Sequence, residues 1–252
     1  MPATAAHFMF GQLVCGALSE LVKTLIQSDK DTFDLGLQGP DLLFFYNPLS
    51  ANCVSNKGTD IHSGAARDFF EPALQSAFDD PAVLVYLLGC ACHYALDSAC
   101  HPFINAHFPT AVLHRQVETN FEERIIGDFD LSRKIHHYLP KKPCAAAVAQ
   151  AYPDVTRVNI ERAIQYMRFY TRALEHRKLI SFGERVIGQK GVFSSLAIGN
   201  GHHFPDAMSH LKALFEQTVP TAVRFVKSLY EDHGTKTIRM ENFNLNFEGA
   251  QT

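Results

Sequence analysis

The chain carries histidines and carboxylates at a spacing suited to gathering metal ions. His93, Asp97 and His101 recur every four residues, and His114 and Glu118 repeat the interval further on. Four residues along an α-helix turn a side chain by roughly 40°, so the first three share one stripe about 80° wide and the second pair shares a stripe on the next helix. Imidazole and carboxylate at i, i+4 are how a helix offers two ligands to one ion. Two such helices facing each other could hold more than one ion. A stripe of this kind among Leu84, Leu87, Leu88 and Leu96 is costly to bury unless something offsets its lost solvation. Plainer readings stand beside these. His114 and Glu118 alone could be a solvated helix pair, Asp41 could cap a turn after Gly39-Pro40, and His7 could simply be buried by an N-terminal helix.

These residues need helices to carry them, and apolar periodicity predicts almost nothing else. Phe10, Leu13, Val14, Ala17, Leu18, Leu21 and Leu25 predict one helix from about His7 to Gln27. Residues 31–48, with Gly36, Gly39, Pro40 and Pro48, read as a short helical turn followed by a loop. Thr59 or Asp60 is expected to cap a helix running to about Phe78. Asp80-Pro81 opens the next helix and Pro102 is expected to close it. Thr110 to Ile126 forms the following helix, short pieces come near 131–138 and 143–151, and long helices fit 154–178 and 205–232. A stretch with Gly188, Gly191, Gly199 and Gly201 separates the last two, and the tail beyond Gly234, with Phe243, Leu245 and Phe247, reads as an extended arm. The expected fold is all-α, a single-domain multi-helix bundle spanning residues 1–252.

The motif pattern resembles the zinc-dependent phospholipase C family, whose bacterial members carry H-x3-D, a further His, and then H-x3-E or H-x3-D. The counterparts here are His93, Asp97, His101, His114 and Glu118. Upstream, the family shows a His near the mature N-terminus, matched by His7, an acidic turn matched by Gly39-Pro40-Asp41, and a His before an aromatic-rich helix, matched by His62. The resemblance covers residues 7 to 118, and no motif aligns in the second half. It implies two or three Zn²⁺ ions: one held by Asp41, His62, His93 and Asp97, and a second by His101, His114 and Glu118. Asp97 would bridge to a third, held by His7 with the N-terminal amine and carbonyl. It further implies cleavage of a phospholipid to diacylglycerol and a phosphorylated headgroup by a metal-activated water, with Asp41 orienting or deprotonating that water.

The chain departs from the family in places. It has no Trp to present a terminal amine, and Leu42 and Thr59 stand where choline-binding enzymes carry aromatic residues. The run Leu42 to Leu49 could form an apolar lip touching acyl chains or a membrane surface, although packing into the core is the plainer expectation. A single-strand nuclease or other phosphoesterase, and a non-catalytic metal-binding scaffold, are the alternatives.

Composition narrows the rest. A formal charge of −3 without Lys/Arg clusters argues against a nucleic-acid partner. No charged segment precedes a long apolar one, so no signal peptide is expected, and the apolar run Ala82 to Cys92 is too short to span a bilayer. The six cysteines show no regular spacing and read as reduced thiols in a cytoplasmic protein. Cys90 and Cys100 lie near the histidine stripe but read as small buried residues. His107, His136, His137, His176, His210 and His233 are expected to be ordinary helix-face histidines, and the loop pair His202-His203 lacks a carboxylate nearby.

Overall fold

The computed structural model describes residues 4–176 and 203–252. The expected Gly188, Gly191, Gly199 and Gly201 stretch, His202 and the N-terminal amine lie outside them. The fold is all-α, with no strand among the described residues and a lone bridge between Leu245 and Gln251. In chain order the helices are α1 (Thr4–Gly16), α2 (Glu20–Ser28), α3 (Lys30–Gly36), α4 (Cys53–Ser63), α5 (Ala66–Ala77), α6 (Pro81–His107), α7 (Ala111–Asp128), α8 (Ala145–Gln150), α9 (Arg157–Leu174) and α10 (Pro205–Thr235). Short 3-10 turns occupy Gly39–Phe45, Ile135–Tyr138 and Glu241–Phe243.

α6 is the axis of the molecule. Asp80 caps it by accepting from Ala82 N, with Pro81 at its first turn. Its apolar residues are buried on every side because α10 and α3 pack along it most extensively, with α5, α1 and α8 closing the remainder. At 27 residues it is long and apolar enough to cross a membrane, although no uninterrupted apolar run in the sequence reaches that length. Its most apolar stretch is 89% buried within the protein, which makes it the core helix here.

Close packing depends on two glycines. A Cβ on Gly36 would meet the Tyr86 carbonyl oxygen at 2.2 Å, and one on Gly89 would meet the Phe33 carbonyl oxygen at 2.3 Å. Backbone therefore lies against backbone where α3 crosses α6. This crossing sets the depth of the Gly39–Phe45 turn that follows α3.

Several boundaries differ from the sequence expectation, each for a local reason. The first helix is two helices, because α1 ends at Gly16 and Ser19, in extended conformation, precedes a new start at α2. Leu21, expected on the apolar face, is 72% exposed. Thr59 and Asp60 cap nothing. They lie inside α4, which starts from an Asn52–Ser55 capping box and stops at extended Gly64 before α5 begins. Pro102 does not end α6, which runs on to His107. A proline removes one helix N–H, so the Ser98 carbonyl loses its usual donor while the helix continues.

The tail is not an extended arm. Phe243 and Phe247 are fully buried, with Phe70 packed against both and Tyr94 beside them. Ala66 N donates to the Leu245 carbonyl at 2.9 Å, and Asn246 Nδ2 donates to the Ser63 carbonyl at 3.4 Å. The apolar residues that looked isolated in sequence find a groove between α5 and α6. The lip also resolves toward the core: Leu42 and Leu43 are buried, Phe44 to Tyr46 are half-buried, and the exposed end is Leu49.

Candidate metal centre

Every site residue expected from the sequence meets the others in one region. α6 contributes His93, Asp97 and His101, α7 contributes His114 and Glu118, and α1 contributes His7. The Gly39–Phe45 turn brings Asp41 and the last turn of α4 brings His62. Asp97 stands at the centre, with its Oδ1 3.1 Å from His7 Nε2, and its Oδ2 3.0 Å from His93 Nε2 and 4.0 Å from His101 Nδ1. Asp41 Oδ1 lies 2.9 Å from His62 Nε2. On the other side Glu118 Oε1 lies 3.4 Å from His101 Nε2 and 3.2 Å from His114 Nε2.

Ligand atoms converge within 4.8 Å in sets composed of His7, His93 and Asp97; of Asp41, His62 and His93; and of His101, His114 and Glu118. The last set coincides with the second ion implied by resemblance. His7 and His93 also stack, with centroids 4.4 Å apart.

The backbone decides which nitrogen faces inward. His93 Nδ1 donates to the Leu37 carbonyl at 3.2 Å, His62 Nδ1 to Gly58 at 2.8 Å, and His101 Nδ1 to Phe247 at 3.3 Å. A carbonyl can only accept, so each Nδ1 carries the hydrogen and a neutral ring turns its Nε2 lone pair toward the carboxylates. That second contact is how proteins orient a metal-binding histidine. His93 Nε2 is buried with no hydrogen-bond partner, as is His7 Nδ1. Lone pair against carboxylate oxygen at 2.9–3.0 Å is repulsive unless a cation sits between them or the ring takes a second proton. Tetrahedral zinc with bonds near 2.0–2.1 Å places its ligand atoms about 3.3 Å apart, close to these separations. The donor set of imidazoles and carboxylates suits Zn²⁺, so the residues present fit the metal.

Electrostatics favour a cation as well. Burial alone would raise the Asp97 carboxyl, but His93, His101 and His7 hold it well below the usual carboxylate range. Glu118 also lies low despite burial, and contacts with His101 and His114 help hold it there. Burial would lower His101, yet Asp97 above all, with Glu118 and Glu248, holds it up at about 10. Where no metal is bound, a proton supplies the positive charge. His62 and His93 help hold the Asp41 carboxyl low against burial, so it is ionised throughout the neutral range.

Gly39 is fitted to this centre. Its φ is +53°, a left-handed conformation, and a Cβ there would lie 2.4 Å from the His93 ring. Tyr86 Oη donates to its carbonyl at 3.4 Å.

The zinc dependent phospholipase C family model matches residues 6–183, well over half of the chain. The chain belongs to the zinc dependent phospholipase C family. No curated protein and no solved structure matches it. The family match takes in every expected ligand, His7 through Glu118, and stops well before the tail that buries Phe247 against His62 and His93.

Sequence reasoning missed several contributors to this phospholipase C-like centre. Glu122 accepts from Ala5 N at 2.8 Å and Ala6 N at 3.2 Å, pinning the α1 end that carries His7, while burial pushes its carboxyl up to about 8. Its place four residues after Glu118, on the same helix face, was the available signal. Glu248 approaches His101 Nδ1 at 3.8 Å and had no such signal. The residues read as ordinary lie apart from the metal-ligand sets. His107 Nδ1 bonds its own helix at Phe103, His136 pairs with Glu175 at 2.7 Å, His210 packs tilted against Phe103, and His233 bonds the Ala77 carbonyl. Burial pushes the Cys90 and Cys100 thiols up, so neither offers a thiolate.

Proposed function

We propose that the chain hydrolyses a phosphodiester in the manner of a phospholipase C, splitting a phospholipid into diacylglycerol and a phosphorylated headgroup. What carries this reading is the set of inward Nε2 atoms, three of them aimed by backbone carbonyls, facing Asp41, Asp97 and Glu118. His101, His114 and Glu118 would hold one ion, while Asp41, His62, His93, Asp97 and His7 would hold the rest. When bound, zinc supplies Lewis acidity toward the phosphoryl oxygens and lowers the pKa of water.

The chain's own residues do the remaining work. Asp41 is ionised and stands at the edge of the donor set, 14% exposed, where a substrate water can reach it. It accepts a proton as the water oxygen bonds to phosphorus and the bond from phosphorus to the glycerol oxygen breaks, and that proton then passes, directly or through solvent, to the departing glycerol oxygen. The Gly58 carbonyl fixes the His62 ring so that its Nε2 lies 2.9 Å from Asp41 Oδ1, a pair of ligand atoms that a cation between them would hold together. Phe44, its ring tilted against His62 with centroids 5.1 Å apart, walls that side with apolar surface. The test is release of diacylglycerol from phospholipid vesicles by protein of measured zinc content, with and without chelator. Fully zinc-loaded protein that releases neither diacylglycerol nor product from a chromogenic phosphodiester would sink the reading.

A further inference from the structure

The C-terminal segment enters the metal centre from outside the region that matches the family. Phe247 is buried against the rings of His62 and His93, at centroid distances of 5.3 and 6.0 Å. Its carbonyl accepts from His101 Nδ1 at 3.3 Å, and the Glu248 carboxylate lies 3.8 Å from that same nitrogen. Asn105 Nδ2 holds the Glu248 carboxylate at 2.7 Å from one turn further along α6.

Gly249 lets the segment come this close. Its φ is +74°, and a Cβ would meet the Ser98 carbonyl oxygen at 2.3 Å and Pro102 Cγ at 2.7 Å. The tail therefore sits where Pro102 has left the Ser98 carbonyl without its helix donor.

We propose that Glu248, together with the Phe247 carbonyl, is a positioning residue for the ion held by His101, His114 and Glu118. The inference rests on the metal-centre reading given above. With Nδ1–H donated to the Phe247 carbonyl and the Glu248 charge 3.8 Å from the same nitrogen, His101 turns its Nε2 toward Glu118 and His114 and becomes a more basic ligand. Contacts of this outer kind change metal affinity by about 10- to 100-fold when removed. Glu248 touches no ligand position itself, so it acts through His101.

The test is chelator competition on zinc-loaded full-length protein, with bound zinc counted at each step and melting of the metal-free forms measured in parallel. Glu248→Gln keeps the shape and the amide contact available to Asn105 but removes the charge. Gly249→Val keeps Glu248 but strains the backbone and pushes the tail off α6. Both are expected to release one class of zinc about 10- to 100-fold more readily, leaving the remaining zinc as tightly held as in the wild type. Metal-free Glu248→Gln should melt close to the metal-free wild type. If Glu248→Gln lowers metal-free melting yet releases zinc like the wild type, the residue only glues the tail down and the proposal is overturned. Unchanged zinc release in both variants overturns it equally. A wild type that never binds zinc removes the metal-centre reading itself, an outcome distinct from either.

Discussion

Asp41 and Asp97 are both ionised carboxylates in one donor set, but they face different demands. Asp97 sits among His7, His93 and His101, with an oxygen within 4.0 Å of a nitrogen on each. Asp97→Ala is expected to lose zinc and activity together, since it removes bonds on more than one side. Asp41→Asn retains one oxygen but cannot accept a proton. We expect turnover to fall by on the order of a hundredfold, with zinc content, measured alongside, falling only modestly. Full turnover in Asp41→Asn protein with normal zinc would end the proposed role of Asp41 and leave the centre standing. His101 yields a pH prediction. Its folded pKa of about 10 lies above the ordinary 6.5, so the stabilisation it brings to the metal-free protein is complete below about pH 6.5 and is lost as pH rises through about 10. Binding zinc must expel that proton. The drop in Tm caused by chelator is therefore expected to widen between about pH 6.5 and pH 9, a window scanned easily by calorimetry.

At the scale of elements, the crossing of α3 over α6 governs the centre from a distance. Gly36 and Gly89 let α3 approach, and Gly39, three residues beyond α3, lies against His93. Gly89→Ala would force α3 outward against the Phe33 carbonyl and is expected to cost about 1–3 kcal/mol of stability. Because the Asp41 turn follows directly, the same variant should also bind zinc more weakly, whereas Gly127→Ala, with open space around it, should change neither. The helices themselves were legible in the sequence because heptad-like apolar spacing and the Asp80-Pro81 start are local signals. The ligands on α6 and α7 were legible for the same reason. What escaped notice depends on partners distant in sequence. Asn52 as a cap was overshadowed by the acidic Asp60, and the continuation of α6 past Pro102 depends on the surrounding packing. Glu248 and Phe247 meet His101 across nearly 150 residues, with |i−j| of 146 for the Phe247 contact, and no period encodes that.

Across the whole molecule, the ions would tie together α1, the Asp41 turn, α4, α6 and α7. Ligands that bind only the folded state add stability by mass action, about 2.7 kcal/mol per site at a hundredfold excess over Kd. Stripping zinc should therefore lower Tm by several degrees at least, and in a single cooperative step if these elements unfold together. A melting curve indifferent to chelator, on protein shown to have carried zinc, would contradict this.

The contact between His101 and Phe247 also bears on how the protein comes into being. A chain emerging from the ribosome presents His7, then α6 and α7, long before residue 247 is made. Until that residue arrives, His101 has no carbonyl to fix its ring, and α6 lacks both the tail and α10 along its side. Nascent chains would hold the ligands without the frame that aims them. Hydrolytic power would then arrive only once residue 247 has been made and has reached His101, rather than growing by degrees as the polypeptide lengthens.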